Sequence, residues 1–317
     1  MIDLNTLVNQ VPYRILASGY SRRAFYERGL RFVDCEGWSR DKMRRWIKET
    51  NPSFILASTS IGTDFEHHIT RIGAELGIGT AQFLDHWVNA KWRFKDSEGR
   101  TLWPDYVLTV TSEDASLLVT EGLPKDRAIV IGQPEWESFV RHEFKVKDAG
   151  HVLLITQPIR KYYGSHLGYD ERDFIREVLR VLRSSRYAKR KTVLALHPEN
   201  SLEELELANG SRIEVMGGVT STILEQSSLV IGMYSSILIK SALMGIPTVS
   251  FQPVKNRTVA ACGLRQFITT VKSREQLSKV IAAPRILEGI GILRAFVEGS
   301  SRRLERFLLE RLGMRSE

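Results

Sequence analysis

Short runs of apolar and β-branched residues alternate with helical stretches along this chain, and the alternation limits its possible folds more than any other feature. Parallel strands need a crossover connection, which is usually a helix, so this pattern predicts parallel sheets covered by helices. In the first half the predicted strands are 13–18, 31–34, 53–58, 80–84, 106–110 and 128–131, and the predicted helices are 40–49, 65–76 and 112–121.

The alternation stops over residues 136–150, which are polar and lack an apolar period, and then begins again. A chain of 317 residues is long for a single hydrophobic core, so the break predicts an interdomain connection, with a first domain at 1–148 and a second at 149–290. The predicted strands of the second half are 152–156, 192–196, 212–215, 229–232 and 247–251, and its predicted helices are 172–183, 221–226, 236–244 and 287–312.

The expected fold class is therefore α/β, with two Rossmann-like, doubly wound domains that face each other. In such sheets ligands bind outside the carboxyl ends of the strands, so we expect the binding site in the cleft between the domains. The remaining segment, 291–317, is predicted to be helical and basic at its end. One alternative is that this segment packs back against the first domain.

Positive charge is concentrated near the start of the chain. Residues 14–48 contain ten Lys or Arg against four Asp or Glu, a net charge of +6 out of +8 for the whole sequence. Such a surface attracts phosphates, acidic glycans or an anionic membrane, and a plain solvated basic face is the alternative. No zinc finger, helix-turn-helix or aromatic RNA-binding pattern accompanies the charge, so we do not expect nucleic acid as a partner.

Several classes of protein are excluded by what the sequence lacks. It contains no apolar run of 18 residues and no signal-peptide pattern, so we expect a cytoplasmic protein, with the inner face of the membrane as a second location. Cys35 and Cys262 fit small buried core residues in a reducing compartment and support neither a disulfide framework nor a zinc site. Phosphate-loop, nucleophile-elbow and Asp-x-Asp metal motifs are absent as well.

Two dipeptides in the second half indicate an anion site. His197-Pro198 follows the apolar strand 192–196, and proline cannot continue the ladder, so His197 stands at the strand's carboxyl end. Ser235-Ser236 follows the strand 229–234, which ends in Tyr234, and begins a helix. Free N–H groups of a first helical turn, the helix dipole and two hydroxyls form a ready phosphate site. A structural histidine and simple N-capping are the alternatives.

The order, spacing and strand-end positions of these dipeptides resemble the HP and SS motifs of bacterial sialyltransferases with the GT-B fold, and of the related Kdo and CDP-glycerol transferases. In those families both motifs contact the phosphate and ribose of a cytidine-nucleotide donor. The resemblance implies an enzyme with the GT-B fold that moves a sugar from a CMP- or CDP-linked donor to a glycan or lipid-linked acceptor in surface polysaccharide or glycoconjugate synthesis. It also implies metal-independent chemistry, with no cofactor.

The stretch 230–249 is also similar to the donor-side helix of UDP-GlcNAc 2-epimerases. Those enzymes usually have Gly-Gly and an acidic residue where this chain has Ser235-Ser236 and Lys240, a departure that favours a transferase. A UDP-sugar 2-epimerase or hydrolase on the same fold is one alternative, and a non-catalytic nucleotide- or glycan-binding protein is another.

Further donor-binding candidates lie at the other strand ends of the second half. Gln157, Arg160 and Lys161 follow the strand 152–156 in a stretch interpreted as a polar loop, which would bring two cations near the phosphates or simply be solvated. Gly218 and Thr220 follow the strand 212–215, in a region that often lies near the nucleotide base in GT-B proteins.

The first half supplies the predicted catalytic groups. A transfer that inverts the sugar needs a general base for the acceptor hydroxyl, and the resemblance puts it at the end of the strand 80–84. Asp85 is the preferred base, with His86 as a substitute base or as its orienting partner, and capping of the following turn is the alternative for Asp85. Glu66 is a second acid–base candidate. The predicted acceptor-binding residues are Gly19, Arg22, Arg23 and His67.

Overall fold

The computed structural model describes residues 11–59, 64–84, 90–141, 149–197, 199–200, 213–253 and 267–314. These residues form two compact units, unit 1 with residues 11–135 and 299–314 and unit 2 with residues 136–298. Within these ranges, no helix is long and apolar enough to cross a membrane.

Unit 1 consists of two parallel sheets and their helices. One sheet pairs β1 with β2, and the other has the order β3-β4-β5-β6, each strand parallel to its neighbour. The elements are β1 (Leu16–Ala17), α1 (Tyr20–Glu27), β2 (Val33–Asp34), α2 (Arg40–Thr50), β3 (Phe54–Ala57), α3 (Phe65–Leu76), β4 (Gly79–Phe83), β5 (Tyr106–Thr109), α4 (Ser112–Thr120) and β6 (Ala128–Val130).

The described residues of unit 2 form one sheet with the order β12-β11-β10-β7-β8-β9, again parallel throughout. Its elements are α5 (Glu137–Arg141), β7 (His151–Ile155), α6 (Ile159–Tyr163), α7 (Glu171–Arg183), β8 (Thr192–Leu196), β9 (Ile213–Gly217), α8 (Ser221–Glu225), β10 (Ser227–Gly232), α9 (Ser236–Leu243), β11 (Thr248–Phe251), β12 (Thr269–Val271), α10 (Arg274–Ala282) and α11 (Gly289–Val297). The last helix of the chain, α12 (Ser300–Arg311), belongs to unit 1.

The alternation of side chains along β5 shows how unit 1 builds its layers. Val107 and Leu108 are consecutive, so they point to opposite faces of the sheet. Val107 packs with Leu118 of α4, whereas Leu108 packs with Leu304 and Phe307 of α12. Helix α12 therefore covers one face of the four-stranded sheet, and α4 lies on the other.

Two segments differ from their predicted secondary structure. The segment predicted as one helix over 287–312 is two helices, because Glu298 is extended and Gly299 has a φ of 74°, which breaks the helical backbone. The polar connection predicted over 136–150 begins instead with Trp136, which is 1% exposed, followed by α5. A buried indole in a polar stretch gives no apolar period, so the pattern could not reveal it.

Candidate functional site

The carboxyl edge of the six-stranded sheet brings together most of the predicted donor-binding residues. His197 follows β8, Gln157 follows β7, and Tyr234 and Ser235 follow β10. The strands that carry the His-Pro and Ser-Ser dipeptides are not neighbours, because β7 lies between β8 and β10. Two strand spacings of about 4.8 Å therefore separate the two dipeptides, roughly 10 Å in all.

Ser235 caps the helix that begins at this edge. Its backbone is extended, its hydroxyl accepts a hydrogen bond from the N–H of Ile237 at 3.3 Å, and the residue is 8% exposed. Ser236, the first residue of α9, is half-buried. The carbonyl of Met233 accepts hydrogen bonds from Ser250 and Gln252, which fixes the chain just before the cap. The first turn of α9 is thus held in place, with its N–H groups at the strand ends.

The imidazole of His197 is half-buried and has a defined tautomer. Its Nδ1 accepts the N–H of Glu199 at 3.3 Å, which places the proton of the neutral ring on Nε2. Burial lowers the pKa of this imidazole, opposed by the nearby Glu199 carboxylate. The backbone N–H of His197 donates to the Thr156 hydroxyl at 3.1 Å, so the end of β7 holds the end of β8.

The segment after β7, which the sequence predicts to be a polar loop, is the short helix α6. Lys161 and Tyr162 of this helix bind the two carboxylate oxygens of Glu199, at 2.9 Å and 2.6 Å. The hydrogen bond to Glu199 raises the pKa of Tyr162 to about 12. Tyr163 packs edge-on against Tyr234, with ring centroids 6.3 Å apart. Helix α6 therefore contacts both the His197 side and the Ser235 side of the edge.

Glu199 is a residue of this site that the motifs did not predict. It pairs with Lys161, so one of the two predicted cations already has a carboxylate partner in the structure, while Arg160 is exposed. The signal that could have found Glu199 is its place two residues after His197, where a turn returns the side chain to the strand end. Pro198 lies outside the described residues.

Gly218 and Thr220 stand at the end of β9, the edge strand beside β8. Gly218 has a φ of 90°, a conformation that glycine adopts far more readily than other residues, and its N–H donates to the carbonyl of Leu196. Thr220 caps α8, since its hydroxyl accepts the N–H of Ile223 at 3.3 Å. Both residues lie at the same edge of the sheet as His197.

In unit 1 the predicted acceptor-binding arginines face carboxylates. Arg22 pairs with Asp34 and Glu36, and Arg23 pairs with Glu27. The N–H of Gly19, at the end of β1, donates to the carboxylate of Glu36. These partners are among the four acids already counted in the net charge of +6 for residues 14–48, so the pairs organise that charge without reducing it.

Glu66 and His67 were expected to face an acceptor, but both side chains are buried, with exposures of 7% and 5%. They lie in the first turn of α3, whose Glu66 carbonyl and Thr70 hydroxyl accept hydrogen bonds from the Gln82 side chain on β4. The first turn is thus packed on the sheet. Nδ1 of His67 lies 3.5 Å from Asp64. Asp85 and His86 lie outside the described residues.

Comparisons with known proteins agree with this architecture. No family model and no curated protein matches the sequence. UDP-GlcNAc 2-epimerase from Neisseria meningitidis bound to UDP-GlcNAc superposes with a TM-score of 0.69 at 13% identity, over 95% of this chain and 93% of that one. UDP-N-acetylglucosamine 2-epimerase from Rickettsia bellii gives 0.66 at 13%, over 97% and 91%, and the glycotransferase of kitacinnamycin gives 0.56 at 14%, over 97% and 93%.

This chain has the GT-B fold. The similarity extends over nearly the whole length of each protein, and each unit has the parallel strands and crossover helices of a Rossmann-like domain. The expected fold class is thereby confirmed. At 12–15% identity the likeness shows the fold, and the chemistry of this GT-B protein has to be argued from its own residues.

Proposed function

We propose that this GT-B protein is a nucleotide-sugar glycosyltransferase whose donor phosphates bind at the carboxyl edge of the sheet in unit 2. The observation that carries the proposal is that α6 contacts both sides of this edge, through Glu199 beside His197 and through Tyr234 beside Ser235. Nε2–H of His197, the first turn of α9 and Lys161 are donors suited to an anionic ligand. The Neisseria meningitidis protein of the same fold is bound to UDP-GlcNAc, which supports a nucleotide sugar as the ligand.

The same groups supply the chemistry that transfer requires. As the bond between the sugar and the phosphate breaks, negative charge grows on the leaving phosphate. Donors that are already in position stabilise this charge without reorganising. We propose Asp85 as the general base for the acceptor hydroxyl. It directly follows Leu84, the residue after β4. Leu84 is buried, and its N–H donates to the carbonyl of Leu108 on β5.

Helix α9 favours transfer over epimerisation. It carries no Asp or Glu, and the ammonium of Lys240 lies 5.7 Å from the ring centroid of Phe139. A UDP-sugar 2-epimerase or hydrolase is the second candidate, because the superpositions on 2-epimerases have the higher TM-scores, 0.66 and 0.69 against 0.56. The two reactions share the phosphate site and differ in whether a second sugar is needed.

The proposed identity of the substrates rests on the resemblance of the two motifs and on the charge distribution. We propose a CMP- or CDP-linked donor, and as acceptor a glycan or a lipid-linked glycan in surface polysaccharide or glycoconjugate synthesis. Contact with an anionic membrane from the cytoplasmic side would use the basic residues of 14–48. Arg22 and Arg23 pair with acids that the net charge of +6 already counts. Glu75, the partner of Arg40 and Arg44, lies outside the window and lowers the local net charge to +5, so this face stays basic.

Thermal-shift measurements with CMP, CDP, UDP and GDP test the donor site directly. We expect CMP or CDP to raise the melting temperature most, and a stronger effect of UDP or GDP would contradict a cytidine donor. UDP-sugars incubated in deuterated buffer without acceptor test the second candidate, and rapid exchange of the hydrogen at C2 of the sugar would establish the epimerase. With an acceptor present, sugar transfer that is lost in Asp85→Asn supports the proposal.

A further inference from the structure

Glu171 is a buried carboxylate close to the candidate phosphate site, and none of the roles proposed above uses it. It is 6% exposed and occupies the first position of α7, where the helix dipole favours a negative charge. One oxygen accepts a hydrogen bond from the side-chain amide of Asn200 at 3.1 Å, and the other accepts the N–H of Arg160 at 3.2 Å. Both partners donate, so an ionised carboxylate, which can only accept, matches them.

The hydrogen bonds continue from Asn200 to the His-Pro strand end. The oxygen of the Asn200 side chain accepts the hydroxyl proton of Thr156 at 3.1 Å, and the Thr156 oxygen accepts the N–H of His197 at 3.1 Å. The N–H of Asn200 also donates to the carbonyl of His197 at 2.8 Å. The carboxylate of Glu171 accepts, so it fixes which end of the Asn200 amide faces it and leaves the Asn200 oxygen to accept from Thr156. We call this chain of bonds the Glu171 relay (Glu171, Asn200, Thr156 and His197).

The Glu171 relay and the hydrogen bond from Arg160 to Glu171 together join three segments of the candidate phosphate site. Arg160 belongs to α6, Thr156 ends β7, and His197 with Asn200 forms the turn after β8. Burying a carboxylate costs more free energy than burying an apolar side chain of similar size, so stability alone does not explain a charge at this position. A fixed acceptor that orients donors at two strand ends does explain it.

We propose that Glu171 is a positioning residue of the nucleotide-phosphate site. Through Asn200 and Thr156 it sets the backbone position of His197, and through the N–H of Arg160 it sets the start of α6. This role rests on the proposed function, because it assumes that an anionic ligand binds at the His197 edge. It assigns to Glu171 no contact with the ligand.

The test uses the full chain with UDP and CMP as probes. Glu171→Gln keeps the shape of the side chain but replaces one carboxylate oxygen with an NH2 group. That group then faces a donor, either the Asn200 amide or the N–H of Arg160, and one hydrogen bond is lost. We expect the Kd of the better probe to rise about tenfold, the effect of roughly one lost hydrogen bond. The ring and backbone NMR resonances of His197 should shift at the same time. Glu177→Gln, on the same helix, removes a carboxylate that pairs with Arg180 and Arg274 and should change neither readout.

Asn200→Ala provides a second variant in case Glu171→Gln does not fold, because Asn200 lies in a half-buried turn. It should reproduce the weaker binding and the shifted His197 resonances. Wild-type Kd and unshifted His197 resonances in the folded variants would overturn the proposal, and so would weaker binding with unshifted resonances. If the wild type binds neither probe, the proposed function fails, while the His197 resonances of the variants still decide whether Glu171 positions that residue.

Discussion

The ionisation of His197 links the candidate site to pH. Burial lowers the pKa of its imidazole, so the ring of the free protein is neutral at pH 7. A bound phosphate favours the charged ring, and the complex therefore takes up a proton that the free protein lacks. Binding must then strengthen as the pH falls towards the raised pKa of the complex.

We expect nucleotide affinity to be roughly threefold higher at pH 6 than at pH 7.5, beyond any change caused by the ligand's own titration. His197→Gln removes the titrating ring but keeps a side-chain donor, so this extra pH dependence should disappear. Calorimetry in buffers of different ionisation enthalpy measures the proton uptake of both proteins. An equal uptake by wild type and variant would show that His197 does not contact the phosphate.

The same pKa shift affects stability with a definite sign. A folded pKa below the unfolded value means that the unfolded chain binds the proton first on acidification. The free energy that His197 contributes to folding is therefore lost as the pH falls through about 6.5, the pKa of this side chain in the unfolded protein. Ligand binding and folding thus respond to acid in opposite directions at this residue.

At the scale of a single element, the two adjacent hydroxyls at the start of α9 separate a structural role from the proposed binding role. Ser235 caps the helix, because its hydroxyl accepts the N–H of Ile237. Ser236 stands one position later as the first helical residue and is half-buried, and we propose its hydroxyl for the contact with the ligand. The two roles can be separated because they fall on different residues.

We expect Ser235→Ala to lower the free energy of unfolding by about 1 kcal/mol, the usual effect of losing an N-cap. Ser236→Ala should leave stability within about 0.5 kcal/mol, since the substitution removes no cap. It should nevertheless weaken nucleotide binding. Urea unfolding and titration with UDP and CMP measure the two effects on this matched pair. Unchanged nucleotide affinity in Ser236→Ala would exclude its hydroxyl from the phosphate site.

At the scale of the whole molecule, helix α12 completes the core of unit 1. Leu304 and Phe307 of α12 are buried against Phe83, Leu108 and Ile131 of the four-stranded sheet. Arg303 donates to the carbonyl of Ile131 at 2.8 Å, which ties the helix to the strand end. Unit 1 therefore depends on residues that lie far apart in sequence.

Leu304→Ala should lower the stability of unit 1 by about 2–5 kcal/mol, because it removes buried methyl groups and leaves a cavity. Arg302→Ala, an exposed neighbour on the same helix, should change it by less than about 0.5 kcal/mol. Urea unfolding followed by hydrogen exchange on β4 and β5 measures both variants. Equal stability of the two variants would mean that α12 adds little to this core.

The alternation of apolar runs and helices was enough to predict the α/β fold and many element bounds. The predicted helix 65–76 and strand 192–196 coincide with α3 and β8. Both have clear local signals, a helical apolar period in one and a β-branched run before a proline in the other. The sequence by itself also placed His197 and Ser235 at strand ends, since a proline and a helix start are encoded locally.

The order of the strands, and which polar groups meet, was decided by the tertiary structure alone. Residues far apart in sequence meet in three places. β7 lies between β8 and β10, Glu199 pairs with Lys161, and the Glu171 relay connects α7 with the ends of β7 and β8. The burial of Glu66 and His67 likewise depends on β4 packing against α3. Local propensity says which element a residue belongs to, but neighbours in space are chosen by the burial and hydrogen bonding of the whole chain.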